Sequence, residues 1–224
     1  MAAQGRVIDL GHPLSATDPS WSGEKVYERK ETRSGQISGG TFRSDEHFGT
    51  HLDAPSHFGG AWTTDRIPTD RLVRPGVCIN VTGKSEDYQI TLADVKAFES
   101  RNGAIPEGSI ALFATGWDAR WKDGKRYMNE RGGVKHFPGI STEAARYLAS
   151  DRKVVGIGID TPSVDYGPSV KFETHNVTMP LNVYHIENAA NLTKLPARGF
   201  TVVVAPINIV GGSGGPTRIF AILD

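Results

Sequence analysis

The 224-residue sequence contains a single cysteine, Cys78. One thiol excludes a disulfide framework within the chain and a cysteine-rich zinc site. Cys78 sits in the apolar run Val77-Cys78-Ile79-Asn80-Val81, so it is expected to be a buried strand residue without chemistry. No run of about eighteen apolar residues occurs, and the stretch from Met1 to Leu10 lacks the long apolar core of a signal peptide, which reads as a soluble, cytoplasmic protein. An excess of one charge is missing too, because Lys plus Arg and Asp plus Glu stand at 25 each and no basic run appears. Nucleic acid and membrane are poor partners for such a chain, and a small neutral molecule suits it better. Nucleotide motifs are incomplete. Gly156-Ile157-Gly158 lacks the third glycine of a dinucleotide fingerprint, and no full P-loop pattern is present. Gly211 to Gly215 has the letters of a nucleophile elbow around Ser213, but an α/β-hydrolase needs a later histidine and none follows.

What the chain does have is a local concentration of metal-competent side chains. His47-Phe48-Gly49-Thr50-His51-Leu52-Asp53-Ala54-Pro55-Ser56-His57 places three imidazoles and a carboxylate within eleven residues. An unbroken strand would aim all four at one face but spread them over roughly 33 Å at about 3.3 Å per residue. A helix would put His51 and Asp53 on opposite sides, and Pro55 disfavours helical geometry at Ala54. The backbone must therefore bend, and Gly49 and Pro55 are the places for it. His51 and Asp53 then form a same-face pair, with His47 and His57 brought in from either end. Imidazole with carboxylate suits zinc, manganese or iron better than calcium.

At this length one substantial domain spanning residues 1–224 is expected. Extended segments are expected at Arg6–Leu10, Thr41–Phe48, Gly76–Thr82, Ser109–Thr115, Val154–Ile159, Phe200–Ile209 and Arg218–Leu223. Helices are expected after Thr91, with Asp94 completing a capping box, and from Ser141 to Ser150. Strands and helices alternate without a repeat of fixed period, so the class is α/β or mixed α+β. Gly116 to Pro138 is too long for a plain connector and carries Trp117, Trp121, Tyr127, His136 and Phe137, which makes it a lid, a substrate wall or an oligomer contact. Phe48, Phe58 and Trp62 could wall a pocket. Asp160-Thr161-Pro162-Ser163-Val164-Asp165 is a polar cluster of the kind found where a buried strand opens into a functional loop, or ordinary turn chemistry. His175 and Glu187, twelve residues apart, form a further metal-competent pair, with His185 as a competitor for the ligand role.

The stretch from His47 to His57 resembles the signature of the metal-dependent cyclase family, which includes bacterial kynurenine formamidase and isatin hydrolase. Arg6-Val7-Ile8-Asp9-Leu10, Gly158 to Asp165, and His175 followed by Glu187 extend the resemblance over nearly the whole chain. The resemblance implies a swivelling β/β/α domain and a homo-oligomer, either dimer or tetramer. It implies His47, His51, Asp53, His175 and Glu187 as ligands of one or two divalent ions, Mn2+ or Zn2+, with Asp53 and Glu187 able to bridge. His57 matches the family's proton-transfer histidine, and Trp21 its substrate-contacting tryptophan. The run Trp21-Ser22-Gly23-Glu24 departs from the formamidase pattern, and the aromatic segment from Gly116 to Pro138 looks more like the isatin-hydrolase side. The expected activity is thus hydrolysis of a small cyclic amide, an isatin-like aromatic lactam, by metal-activated water. N-formylkynurenine hydrolysis is the alternative, and a metal-stabilised binding protein without catalysis is the rival from another class.

Overall fold

Apolar runs that do not alternate, such as Ile110 to Ala114, belong in strands buried on both faces, and the sheet is organised around them. A computed structural model describes residues 6–224, so the Met1–Gly5 part of the expected leader-free start lies outside the described residues. The strands in chain order are β1 (Val7–Asp9), β2 (Glu28–Ser34), β3 (Ile37–Arg43), β4 (His51–Asp53), β5 (Val73–Asn80), β6 (Gln89–Ile90), β7 (Ile110–Ala114), β8 (Gly139–Ile140), β9 (Gly156–Ile159), β10 (Tyr184–Glu187), β11 (Phe200–Pro206) and β12 (Gly214–Leu223). The α-helices are α1 (Leu92–Asn102), α2 (Gly124–Met128), α3 (Thr142–Arg146) and α4 (Glu173–Thr178).

Strands β5, β7, β9 and β10 are parallel neighbours, and β4, β12 and β11 complete the circuit by antiparallel pairing. Because β12 pairs with both β11 and β4, the sheet closes into a ring, with β1 added along β12. Strand alternation sorts the side chains. Cys78, Leu112, Ile186 and Leu52 belong to one buried cluster with residues of β11 and β12, and Val77, Ile79, Phe113 and Ile157 to a second with Val95, Phe98 and Leu148 of the helical segments. This is the mixed α+β class expected. Among the described residues no helix is long and apolar enough to cross a membrane.

Local signals translate directly. Thr91 caps α1 in a full capping box, its hydroxyl accepting from the Asp94 N–H at 3.2 Å while the Asp94 carboxylate accepts from the Thr91 N–H at 2.8 Å. Cys78 is buried, and burial pushes its thiol up to about 12, so it stays an inert thiol.

Two expected strand bounds are corrected. The extended segment reaching Phe48 stops at Arg43, because β3 pairs only with β2 and Gly49 then turns the chain at φ 66°. The last strand starts four residues early, at Gly214, where Gly214 and Gly215 pair with β4. Of the Gly116 to Pro138 segment, Trp117, Trp121, Tyr127 and Phe137 pack together as a small buried cluster, Asp123 caps α2, and Met128 reaches the lining of the large cavity.

Candidate metal centre

Strand parity decides where the site lies. Leu52, Tyr184 and Ile186 belong to the ring's apolar cluster, so His51 and Asp53 on β4, and His185 and Glu187 on β10, must face the other way. The antiparallel register sets His185 opposite Asp53 and Glu187 opposite His51, which makes a four-residue polar patch on one face. Helix α4 lies beside it and brings in His175, so residues far apart in sequence meet at one point.

The two carboxylates occupy the middle. His51 Nε2 is 3.1 Å from Asp53 Oδ1 and 3.5 Å from Glu187 Oε2, while His175 Nε2 is 3.4 Å from Asp53 Oδ2 and 3.5 Å from Glu187 Oε1. Each carboxylate thus offers one oxygen to each imidazole. His47 reaches the same group from outside the strand, with Nδ1 2.6 Å from Asp53 Oδ1. His57 is carried on the 3-10 turn Pro55–Phe58, and its ring centroid lies 4.1 Å from that of His47.

Each donor is aimed by a neighbour. His51 Nδ1 faces the Gly49 carbonyl at 2.9 Å, leaving Nε2 to the carboxylates. His175 Nδ1 lies 2.6 Å from Asp165, which also accepts the Thr174 N–H at 2.7 Å. The Val164 N–H donates to Glu187 Oε1 at 2.9 Å. The Asp160 to Asp165 stretch is therefore a supporting wall of the site, in the way metal-ligating histidines are held by outer carboxylates and backbone groups.

Burial and charge oppose one another here. Burial disfavours the Asp53 carboxylate, but the His51 charge and hydrogen bonds from His175, His47 and His51 hold it well below the usual carboxylate range. Burial pushes Glu187 up to about 7, aided by the Asp53 charge. Against their own burial, His51 is raised to about 9, chiefly by Asp53, and His175 to about 10, chiefly by its bonds to Asp165 and Asp53. His57 is lowered to about 4 by desolvation, partly offset by Asp53.

Among the described residues, no lysine or arginine forms an ion pair with Asp53 or Glu187. Two buried carboxylates ringed by imidazoles, with no thiolate near, are a nitrogen and oxygen donor set that fits a divalent metal ion. Such an ion binds neutral imidazole, so it must displace the protons that His51 and His175 carry below their pKa values. At pH 7.5 metal uptake is expected to release about two protons per chain, one from each, and the release should fade as pH rises through 9 to 10. Calorimetric titration in buffers of different ionisation enthalpy measures this, and a pH-independent release would contradict it. The linkage has a second sign. With folded values above the ordinary 6.5, these imidazoles stabilise the metal-free fold below about pH 6.5, and that contribution is lost as pH rises through 9 to 10.

The cluster opens onto a cavity of about 790 Å³ whose lining includes His47, His51, His57, Trp21, Phe58 and Phe172. Trp21 and Phe172 stand 6.3 Å apart, and Phe58 lies 4.7 Å from the His175 ring. Two expected wall residues are elsewhere. Phe48 is buried against Tyr27 because the Gly49 turn sends it away from the cavity, and Trp62 packs at the edge of the ring's core beneath the Arg71 guanidinium.

The Cyclase family model matches residues 8–166, more than half of the chain. The chain belongs to the cyclase family. An isatin hydrolase of Roseibium aggregatum is 34% identical over 190 residues, covering 80% of this chain and 72% of that protein. A kynurenine formamidase of Salinibacter ruber is 24% identical over 220 residues, covering 95% of each. Among solved structures, isatin hydrolase A from Ralstonia solanacearum superposes with a TM-score of 0.91 at 31% identity, covering 98% of this chain and 92% of that one.

Several residues of this cyclase-family site carry no sequence signal of their own. His47 Nε2 lies 3.0 Å from Ser213 Oγ, which donates to Glu46 at 2.7 Å. Ser213, set aside as a nucleophile, thus accepts the Nε2 proton and leaves Nδ1 to Asp53. Asn188 donates to the Gly49 carbonyl at 2.8 Å and receives the Tyr127 hydroxyl, supporting the His51 turn. Phe172 holds a left-handed φ of 50°, a conformation a bulky residue rarely adopts and one that marks a constrained site. Gly214 matters by what it lacks, since a Cβ there would sit 2.6 Å from the His47 ring. Gly214→Ala is expected to fold, because the strand conformation is ordinary, yet to bind metal roughly 10- to 100-fold more weakly, as misaimed ligands do. Unchanged metal affinity would show that the His47 ring does not matter to binding.

Proposed function

We propose that this chain is a metal-dependent amidohydrolase that opens the C–N bond of a small aromatic cyclic amide of the isatin type. The observation that carries this reading is the carboxylate and imidazole cluster at the base of an aromatic-walled cavity large enough for a bicyclic ligand. The likeness to isatin hydrolases over most of the chain supports it. His47, His51, Asp53, His175 and Glu187 would hold the metal, which we take to be Mn2+ or Zn2+, ions that imidazole and carboxylate donors suit. When bound, the ion would supply Lewis acidity, lowering the pKa of water and polarising a carbonyl.

The protein's own part is positioning and proton transfer. Trp21, Phe58 and Phe172 bind the flat ring system and exclude water around it. Hydrolysis adds a water oxygen to the amide carbonyl carbon, breaks the C–N bond, and leaves a carboxylic acid and an amine. One water proton must reach the departing nitrogen. His57 is assigned that transfer because it opens onto the cavity, is neutral at working pH, and has both ring nitrogens free of hydrogen bonds to the described residues. Asp165, Gly49 and Ser213 keep the other imidazoles fixed while it moves.

Kynurenine formamidase activity is the second reading, favoured by the Salinibacter ruber relative that spans nearly the full chain. Isatin and N-formylkynurenine are assayed side by side on protein loaded with Mn2+ or Zn2+. Higher kcat/KM on isatin supports the first reading, the reverse order supports the second, and hydrolysis of neither by metal-loaded protein overturns both in favour of a binding role.

We also propose a cytoplasmic homo-oligomer. Every residue of the β2 and β3 hairpin is exposed, including Ile37 at 75% and Phe42 at 58%. A lone two-stranded ribbon is marginally stable in water, so this arm is assigned to contact with a second copy. Sedimentation should show a dimer or tetramer that Phe42→Asp shifts toward monomer. A monomer at every concentration tested would remove the proposal.

A further inference from the structure

One buried histidine of the patch has no part in the scheme above. His185 is fully buried, faces the same side of the sheet as its cross-strand partner Asp53, and stacks edge-on against His175 with ring centroids 4.6 Å apart. Its Nε2 lies 2.7 Å from Thr178 Oγ1, and that hydroxyl already donates to the Thr174 carbonyl at 2.7 Å. Thr178 can therefore only accept from His185. Nε2 carries the proton, and Nδ1 is left as a bare lone pair, buried and without a partner. The Thr178 contact uses only Nε2, and an aliphatic side chain in this place would leave no unmet lone pair. A ring nitrogen of His185 falls within 4.8 Å of ligand atoms of Asp53, His175 and Glu187.

We propose that His185 is a further protein ligand, through Nδ1, of an enclosed ion position formed with His175, Asp53 and Glu187. The inference rests on the metal-dependent reading of the site and divides it in two. Asp53 Oδ2 and Glu187 Oε1 face His175, whereas Asp53 Oδ1 faces His51 and His47. The inner position then has four protein ligands, and His185 lies behind it, away from the cavity lining. The outer position has His47, His51 and Asp53, with Glu187 Oε2 3.5 Å from His51; since His175 and Glu187 line the cavity as well, what sets the inner position apart is His185 closing it from behind. Zinc sites with four protein ligands are structural and those with three plus an exchangeable position are catalytic, so the inner ion holds the fold and the outer one meets substrate.

Cobalt(II) is titrated into metal-free wild type and His185→Leu, counting ions per chain by elemental analysis and following melting temperature. Wild type should take two ions of unequal affinity. In His185→Leu the tighter binding should weaken by about 100-fold or more, beyond the effect typical of outer-shell changes, and most of the metal-dependent rise in melting temperature should vanish. Proton NMR of cobalt-loaded, histidine-labelled wild type gives a readout that does not depend on the variant folding. Four hyperfine-shifted imidazole N–H signals, from His47, His51, His175 and His185, are expected. Three signals, a single ion per chain, or unchanged affinities in His185→Leu would overturn the assignment while leaving the hydrolase reading in place. Wild type that binds no ion would overturn the metal-dependent reading itself.

Discussion

Asp53→Asn is expected to yield protein that folds at low temperature but retains almost no metal and no measurable hydrolysis. Among the described residues, Asp53 is the one carboxylate paired with His47, His51 and His175 together, at 2.6, 3.1 and 3.4 Å, so its charge is felt throughout the cluster. Asparagine keeps the shape and removes the anion. Loss of a shared ligand should weaken metal binding by well over the roughly 10- to 100-fold that outer-shell substitutions cost. The metal-free variant should lose stability as well, because an imidazolium left in a buried site without its carboxylate typically costs up to about 3–5 kcal/mol, a cost His175 meets in part through Asp165. His51 escapes that cost by shedding its proton. Burial is the largest influence on it and acts to lower its pKa, so the value near 9 should fall once Asp53 is neutral, with the Glu187 charge and the Gly49 carbonyl left to oppose burial. Metal analysis, thermal melts and histidine NMR titration read the three effects. Full metal content with an unshifted His51 titration would show that Glu187, not Asp53, organises the cluster.

The parts of this site legible in the sequence are those set by local geometry. Gly49 and Pro55 had to bend the chain around His51 and Asp53, and the structure bends there, with a left-handed glycine before the strand and a 3-10 turn opening at the proline. The Thr91 and Asp94 cap is likewise a matter of three residues. What sequence could not show is which partner a residue meets across the fold. Gly214 reads as one more glycine in the Gly211 to Gly215 run, and its reason is a histidine ring 167 positions earlier in the chain. Phe48 and Trp62 flank the motif closely, but adjacency does not fix direction, and the bend that gathers the donors turns these two rings into packing positions. Phe172 is the converse case. It sits far from the motif, and a strained backbone brings its ring to the cavity. The His185 tautomer is legible only once Thr178 and Thr174 are seen together.

His57→Asn separates proton transfer from metal binding. His57 is one of the cavity's imidazoles, yet it lies outside both groups of converging ligand atoms, and its contact with them is a 4.1 Å ring approach to His47. The variant should therefore keep its metal, its fold and its affinity for substrate, while kcat falls by about two to four orders of magnitude, the usual worth of a positioned acid-base group. The loss should depend on the leaving group. An amide whose departing nitrogen is a weak base needs less protonation to leave, so the ratio of wild-type to variant kcat should shrink steadily as leaving-group pKa falls. A misplaced metal would slow all such substrates alike, because polarising the carbonyl matters to each of them. With its pKa held near 4 by burial, His57 is neutral at pH 7 and starts as a proton acceptor, but a weak one, so its assignment rests on its place in the cavity rather than on its basicity. Exogenous imidazole, small enough for a cavity of about 790 Å³, should restore part of the lost rate in the variant. If metal content falls instead, or the defect is the same for every leaving group, His57 is a ligand and the proton must travel by way of Glu187.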